Sequence, residues 1–503
     1  MRETIDFLLN GAPVSVAGPD GWLMLSEFLR RRRALTGTKV VCAEGDCGSC
    51  AVLVGRLESG RVVYRSIASC IAQLIQLDAT HVVTVEALRD PGELNAFQES
   101  MAREHGAQCG FCTPGFVVAT QGLMEAGEPV DSERARRGLT GNLCRCTGYD
   151  AIVSAVVGTD AERMRPVGER FPDADVMPAL EKWATESVLV RDGRRSQFKP
   201  VSVDEATAYL ADPSGSAAAS NGSNGTGHGA EPATLLSGGT DLGVVHNKTG
   251  EMSDRLVYLG GVAGFDDVSV ERGEDGRSWM VVGAGVTLHR FQREMAEHLP
   301  DFVEFMEWFG SPPIRHGGTL AGNLCTASPI GDTLPAMHVL GAEMELASDG
   351  AKRTVPIEAF HTGYRMTVLR PGEIVTAIRV PLPGPGEHLR LMKVSRRKDM
   401  DISTVSAAFF FAFDGDVLSD VRVAFGGVAG TVERAAAVEA VLEGRPATLE
   451  RFEEAAVVAE AAYTPMTDVR GSAAYRKALC RNLVLKLWHQ IDAGRFAGRG
   501  VEA

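Results

Sequence analysis

The chain has 503 residues, with 51 Lys and Arg against 65 Asp and Glu, a net charge of −14 and 45% apolar residues. That length allows about three or four domains with ample core. The negative balance disfavours nucleic acid and anionic membranes as partners. No apolar run nears the ~18 residues of a membrane helix, and Glu3 and Asp6 stand where a secretory leader would carry positive charge. A cytoplasmic protein is expected.

In chain order, IDFLLNG and VSVAG read as a strand pair, GWLMLSEFLRRRR as an amphipathic helix, and AVLVG and RVVYRSI as a second strand pair. They outline a first domain over residues 1–85. A second, 86–165, has four helical segments: ELNAFQESMAREHG, PGFVVATQGLMEAG, DSERARRGL and YDAIVSAVVG. A polar, patternless stretch suits a linker at 166–195. Residues 196–382 are mixed α/β, with a helix VDEATAYLAD and strands ATLLSG, DRLVYLG and WMVVGAG. Within them the Gly/Ser/Ala/Asn tract 211–230 cannot build a core and reads as a mobile surface insert. A last unit, 385–495, has strands KVS, VSAAFFFAF and VRVAFGG before helices at 433–443, 450–462 and 472–494. The fold class is α+β, multidomain.

Eight of the ten cysteines lie in the first 146 residues. Without a secretory leader they read as metal ligands or redox groups, not disulfides. Cys42, Cys47 and Cys50, with Cys70 further on, have the C-x4-C-x2-C…C spacing of a plant-type [2Fe–2S] site. Gly45 and Gly48 between them permit the tight turns that aim amides at sulfur. A zinc knuckle, the competing assignment, more often pairs two C-x2-C units. The second set, Cys109 and Cys112 with Cys144 and Cys146, opens two helical segments, where helix dipoles favour thiolate charge. Alone, that C-x2-C is also half a zinc site or a redox pair. No thioredoxin-type βαβ pattern surrounds it, and a neighbouring cluster domain tilts the reading to a second cluster.

In the second half, LLSGGTDLG (235–243) ends a strand in a turn that exposes successive amides, an anion nest suited to pyrophosphate. Gly-Gly-Thr-Asp equally makes ordinary turns, so both readings stand. The segment 309–332 combines glycines with Thr319, Asn323, Ser328 and Asp332, and suits a cradle for a large polar ligand. The basic–acidic run 393–401, taken alone, reads as a solvated hairpin.

CAEGDCGSC…C, QCGFCTPGF and TGNLCRCTGY resemble the iron–sulfur region of the xanthine dehydrogenase (molybdenum hydroxylase) family, and the glycine-rich segments resemble its FAD domain. The resemblance covers nearly the whole chain except the linker and both termini. It implies a β-grasp ferredoxin-like domain, a four-helix iron–sulfur domain, a two-part α/β FAD-binding domain of the vanillyl-alcohol-oxidase/CO-dehydrogenase-flavoprotein type, and a C-terminal α+β domain. Cys109, Cys112, Cys144 and Cys146 would hold the cluster nearer molybdenum, and Cys42, Cys47, Cys50 and Cys70 the one nearer the flavin. Leu235, Leu236, Ser237, Gly238, Gly239, Thr240, Asp241 and Leu242 would form the first pyrophosphate loop, with Asp241 near the flavin ring. Phe309 would lie by the isoalloxazine, with Thr319, Leu320, Ala321, Gly322 and Asn323 along the phosphates. Ser328 and Asp332 would bond the ribityl and phosphate region, Val375 would line the pocket and Lys393 would touch the flavin. Tyr364, Arg396 and Asp399 would lie on the NAD⁺ side, and Arg397 and Asp401 would tune charge near the flavin.

Ala321 departs from the family's glycine, and His316, where Asn or a small residue is usual, reads as a hydrogen-bonding substitute. Cys325 and Cys480 read as buried, inert thiols. Since the sequence holds no molybdenum-cofactor domain, the resemblance points to the small subunit of the split, bacterial form. A large molybdenum-cofactor subunit would complete an (αβ)2 heterotetramer. Electrons from hypoxanthine or xanthine hydroxylation would then pass through two [2Fe–2S] clusters to FAD and on to NAD⁺, with no hydroxylation residue in this chain. The same small subunit in an aldehyde or aromatic-compound oxidoreductase is the alternative.

Overall fold

The computed structural model describes residues 1–90, 92–212, 233–274 and 276–494. The insert at 211–230 therefore falls, from residue 213, outside the described residues. The chain divides into two compact units. The first takes Met1–Ala263 with Gly310–Gly318, and the second takes Gly264–Phe309 and the chain from Thr319.

The first unit is organised by a five-stranded sheet in the order Ala12–Val16, Ile5–Leu9, His81–Val83, Ala51–Glu58, Arg61–Ala68. Ile5–Leu9 and His81–Val83 run parallel, and the other pairs antiparallel. Both faces are covered, which is why IDFLL and AVLV are continuous apolar runs instead of alternating ones. Phe7, Val52 and Val54 turn to one core with Leu25, Phe28 and Leu29 of the helix Leu25–Arg32. Leu8 and Leu53 turn to the other, with Phe97, Phe116 and Ile152 from the short helices Ala96–Arg103, Thr113–Met124 and Asp150–Val157.

The expected linker at 166–195 is a correction: it folds. A helix spans Asp173–Ala184, and the strands Val188–Asp192 and Arg195–Lys199 form a hairpin. Its apolar residues are too sparse to show a period, yet Val176 and Leu180 sink into the helical core and Val188 and Val190 into the sheet core. The hairpin joins Arg255–Tyr258 and Thr234–Leu236 in a second sheet. A buried ionic junction ties that sheet to the first: Asp78 accepts from Lys199 Nζ at 2.6 Å and from Arg2 at 2.8 and 2.9 Å.

In the second unit, a sheet of Val268–Arg272, Ser278–Gly283, Ile374–Pro381, Glu343–Ser348 and Ala351–Pro356 is antiparallel throughout. A further sheet of Glu387–Val394, Val405–Asp414, Val417–Gly426 and the short Glu433–Arg434 follows. Phe409, Phe411 and Phe425 from it pack with Phe452, Leu483 and Leu487 of the helices Leu449–Ala461 and Ala473–Asp492.

Asp78→Ala would leave Lys199 and Arg2 short of a buried counter-charge, so we expect a loss of about 3–5 kcal/mol, read as an earlier urea midpoint. His81 supplies a pH test. Its Nε2 accepts the Gly11 amide at 3.0 Å, so Nδ1 carries the proton toward the Tyr64 hydroxyl at 2.7 Å. Burial pushes its pKa from 6.5 down to about 4. The unfolded chain therefore binds a proton the folded one refuses between those values. Stability is complete above pH 6.5 and falls toward pH 4, by up to about 1.4 kcal/mol per unit. Melting temperatures measured across that range should fall more gently in His81→Gln.

Candidate iron–sulfur and flavin sites

The first thiol quartet sits in the first unit at one end of the ferredoxin-like sheet. Cys50 leads directly into the strand Ala51–Glu58, and Ala51 pairs with Ala68, two residues before Cys70. The Ser69 hydroxyl and amide both donate to the Cys50 carbonyl, at 2.6 and 3.4 Å. The hairpin thus brings together two cysteines twenty positions apart in sequence. Cys47, Cys50 and Cys70 are buried and Cys42 half-buried. The sulfurs interact closely: the Cys47 and Cys70 thiols donate to Cys42 and hold it far below the usual thiol range. Cys70 likewise lowers Cys50, while Cys47 and Cys70 are themselves pushed up. The Glu44 amide donates to Cys42 Sγ at 3.4 Å.

The second quartet is more open: Cys109 and Cys146 are exposed, Cys112 and Cys144 half-buried. Cys109 and Cys146 lie 3.6 Å apart, sulfur to sulfur. Cys109 is lowered by the Phe111 amide and then by Cys146, whereas burial and then Cys144 raise Cys112 to about 12. The Thr147 hydroxyl donates to Cys144 Sγ at 3.2 Å. Against burial, that hydroxyl and the Thr147 amide lower Cys144. Only Cys112 sits at a helix start, as the N-cap of Thr113–Met124. Cys144 and Cys146 lie in a loop, because Tyr149, with φ 73°, delays the next helix to Asp150. The Tyr149 hydroxyl accepts the Cys144 amide at 3.0 Å.

Among the described residues no three His, Cys, Asp or Glu side chains gather around a point for one metal ion. In the inner quartet Cys42 interacts with Cys47 and Cys70, and Cys70 also with Cys50; in the outer one Cys109 interacts with Cys146 and Cys112 with Cys144. Four neighbouring thiols in each quartet match the four ligands that a [2Fe–2S] cluster takes. Thr113 Oγ1, beside Cys112, is buried without a protein partner, a donor suited to a cluster sulfur. The quartets are joined through backbone: the Leu143 amide donates to the Cys47 carbonyl at 3.0 Å. Gly48 lets this approach happen, since a Cβ there would lie 2.4 Å from Asn142 Nδ2 and 2.5 Å from the Gly141 carbonyl.

The flavin residues of the sequence reading fall in both units. In the first, the strand Thr234–Leu236 ends in Ser237–Asp241, and the helix Leu242–Thr249 follows at once. This strand–turn–helix carries no side-chain bulk at 238 and 239 and points a helix start at the turn, which fits a pyrophosphate. His316, also in the first unit, donates from Nδ1 to the Ser66 carbonyl at 2.9 Å, the hydrogen-bonding role expected for it.

In the second unit, Thr319 caps the helix Leu320–Thr326, its hydroxyl accepting the Gly322 amide at 3.0 Å. Asn323 Oδ1 accepts from Thr333 at 2.6 Å, and Ala321 and Val375 are buried. Asp332 binds Lys393 Nζ at 2.7 Å and accepts from Ser403, and Lys393 also donates to the Trp308 carbonyl at 3.0 Å. Lys393 is thus committed to a buried ion pair, with Phe309 next in sequence to its carbonyl partner. Ser328 precedes the helix Thr333–Leu340, which Asp332 opens. Tyr364 is exposed on the hairpin around His361–Thr367. The loop with Arg396, Arg397, Asp399 and Asp401 is held by the Arg397 amide donating to Asp401 at 2.8 Å and by Arg396 donating to the Val469 carbonyl at 3.2 Å. Sequence reasoning gave no role to Asn142 and Thr147, although both lie within TGNLCRCTGY, and missed Gln76 and Asn247, isolated polar residues outside every motif.

Four family models match the chain: a 2Fe-2S iron-sulfur cluster binding domain over 7–74, a [2Fe-2S] binding domain over 84–157, the FAD binding domain in molybdopterin dehydrogenase over 194–383, and the CO dehydrogenase flavoprotein C-terminal domain over 390–491. Together the four match the iron–sulfur/FAD subunit of molybdenum hydroxylases. Xanthine dehydrogenase of Emericella nidulans is 29% identical over 97% of this chain and 39% of its own length. Nicotinate hydroxylase of the same organism is 26% identical over 97% of this chain and 41% of its own. The structure of carbon monoxide dehydrogenase from Hydrogenophaga pseudoflava superposes with a TM-score of 0.51 at 27% identity, covering 58% of this chain and 94% of that one. This chain spans about two fifths of the curated relatives it matches. Among the described residues no helix is long and apolar enough to cross a membrane.

Two clusters of two irons imply about four irons per chain. Cys109→Ser and Cys50→Ser should each lower iron and acid-labile sulfide by about half, removing different electron-paramagnetic signals; loss of the same signal by both would refute two separate quartets.

Proposed function

We propose that the chain is the electron-transfer subunit of a molybdenum hydroxylase, with one [2Fe–2S] cluster on Cys42, Cys47, Cys50 and Cys70 and another on Cys109, Cys112, Cys144 and Cys146. FAD would be held by the loop 235–242 and by the residues of 309–332, Val375 and Lys393. When bound, the clusters exchange single electrons and the flavin exchanges one or two, so pair and single-electron chemistry meet here. The observation that carries the reading is the graded burial of two thiol quartets joined by one backbone hydrogen bond.

What the residues do follows from that gradient. The outer quartet is ringed by Phe111, Leu143 and Tyr149, all exposed, which suits entry of electrons from a molybdenum-cofactor partner docked there. The inner quartet lies in a water-poor turn, where amide and hydroxyl donors to sulfur raise a cluster's affinity for electrons. The Leu143–Cys47 hydrogen bond fixes the separation of the two. Tyr364, Arg396 and Asp399 would face NAD⁺ as final acceptor.

Hypoxanthine or xanthine is the substrate we favour, from the higher identity of the xanthine dehydrogenase alignments, 29% and 30% against 26% for nicotinate hydroxylase at near-equal coverage of this chain. The nicotinate hydroxylase likeness supports an aromatic heterocycle as the second reading. The test is an anaerobic titration of the complex co-purified with its molybdenum partner. Hypoxanthine should bleach the visible spectrum and NAD⁺ restore it. Bleaching by nicotinate alone selects the second reading, and a spectrum unresponsive to either sinks both.

A further inference from the structure

We infer that the inner cluster site and the flavin loop are one coupled device, with Asn247 and Gln76 as its positioning residues. This rests on the cofactor assignments above, but neither residue belongs to either ligand set. The two sites meet through the helix Leu242–Thr249. At eight residues it is about 12 Å long and has no interior hinge.

Its first residue leaves the pyrophosphate loop, and its last turn lies on the cluster loop. There Asn247 Nδ2 donates to the Ala43 carbonyl at 2.9 Å and to the Cys70 carbonyl at 2.8 Å. One amide therefore fixes the Ala43–Glu44 peptide, one residue beyond Cys42, and the peptide that follows Cys70. Lys248 adds an ion pair to Glu44 at 3.0 Å. At the other end, Gly243 rests against the residue after Cys70: a Cβ would come within 2.3 Å of the Ile71 carbonyl.

The cluster side reaches back in the same way. Gln76 Nε2 donates to the Ser237 and Gly238 carbonyls at 3.3 and 3.1 Å. Its Oε1 accepts the Gln73 amide at 2.9 Å, so the side chain is aimed before any ligand arrives. Gln76 is buried, and its bonds to the flavin loop span more than 160 residues of sequence.

The consequence is thermodynamic. Irons on Cys42 and Cys70 hold in place the carbonyls that Asn247 grips, and so anchor the helix whose start shapes the flavin loop. An empty quartet lets those peptides relax, and the loop loses Asn247 and Ile71 as supports. By linkage, FAD must tighten the cluster by the factor by which the cluster tightens FAD, on the scale of about 5–150-fold.

A double-mutant cycle on the full chain tests this, with FAD itself as titrant and fluorescence quenching as readout. Asn247→Asp is isosteric but has no donor for the two carbonyls, and Cys42→Ser compromises the inner cluster. Each should weaken FAD binding at least about fivefold, and the double variant no more than the worse single. Asn247→Asp should also alter the paramagnetic signal of the inner cluster and leave that of the outer one intact. Gln76→Leu should weaken FAD binding with full iron retained. Losses that add, or unchanged FAD affinity in Asn247→Asp and Gln76→Leu, overturn the coupling while leaving the function standing. A wild-type chain that holds neither iron nor FAD overturns the function and the coupling with it. If Cys42→Ser is insoluble, the two remaining variants decide the question by themselves.

Discussion

The register of one hairpin is the constraint on which most of the first unit depends. Ala51–Glu58 and Arg61–Ala68 have arms of equal length around Ser59 and Gly60, both with positive φ, the turn geometry whose twist matches paired strands. Equal arms set Ala51 opposite Ala68 and thereby bring Cys50 and Cys70 to the same end of the sheet. A slip of one residue would separate the thiols and turn every side chain to the wrong face. Since Val52 and Val54 feed one core and Leu53 the other, neither face could accept the exchange. The cluster loop inherits its position from packing on both sides of a sheet, not from the cysteines.

That packing also explains the unequal burial of the two quartets. The inner one lies where the sheet meets the lobe of Arg255–Tyr258 and Thr234–Leu236, whose Leu236, Leu256 and Tyr258 share a core with Phe7 and Phe28. The outer one is carried by short helices that cover the opposite face and leave their connecting loops at the surface. Burial raises the cost of each thiolate charge, so neighbouring sulfurs that share protons are the arrangement the chain can tolerate before iron supplies positive charge.

The parts legible in the sequence were those with local causes. The C-x4-C-x2-C spacing, the short apolar runs and turns of the first 85 residues and the four helical segments after them each have causes close by in the sequence. The region 166–195 was opaque because its helix holds only Val176 and Leu180 as fully buried apolar residues and carries Pro178 in its interior. Likewise 309–332 reads as glycine-rich loop, yet it contains the helices Pro312–Gly317 and Leu320–Thr326, too short to show a period. Asn247 and Gln76 could not have been found by pattern at all. Their roles come from partners far away along the chain, and a single amide side chain has no signature.

The outer quartet carries a cost that the chain alone does not offset. Exposed, partly ionised thiolates are the cysteines most open to oxidation, and Cys109 is lowered by the Phe111 amide while standing in solvent. Phe111, Leu143 and Tyr149 around it are equally ill-suited to water. Both liabilities lie on the same loops, and both would be relieved by one event, the covering of that face by the proposed partner. Exposure here is also what an electron entry point requires, because transfer falls off steeply with distance and the donor must come close. The two features that suit this face poorly to water are therefore those that the proposed complex would use. The inner quartet, with no such demand, is the one the fold encloses.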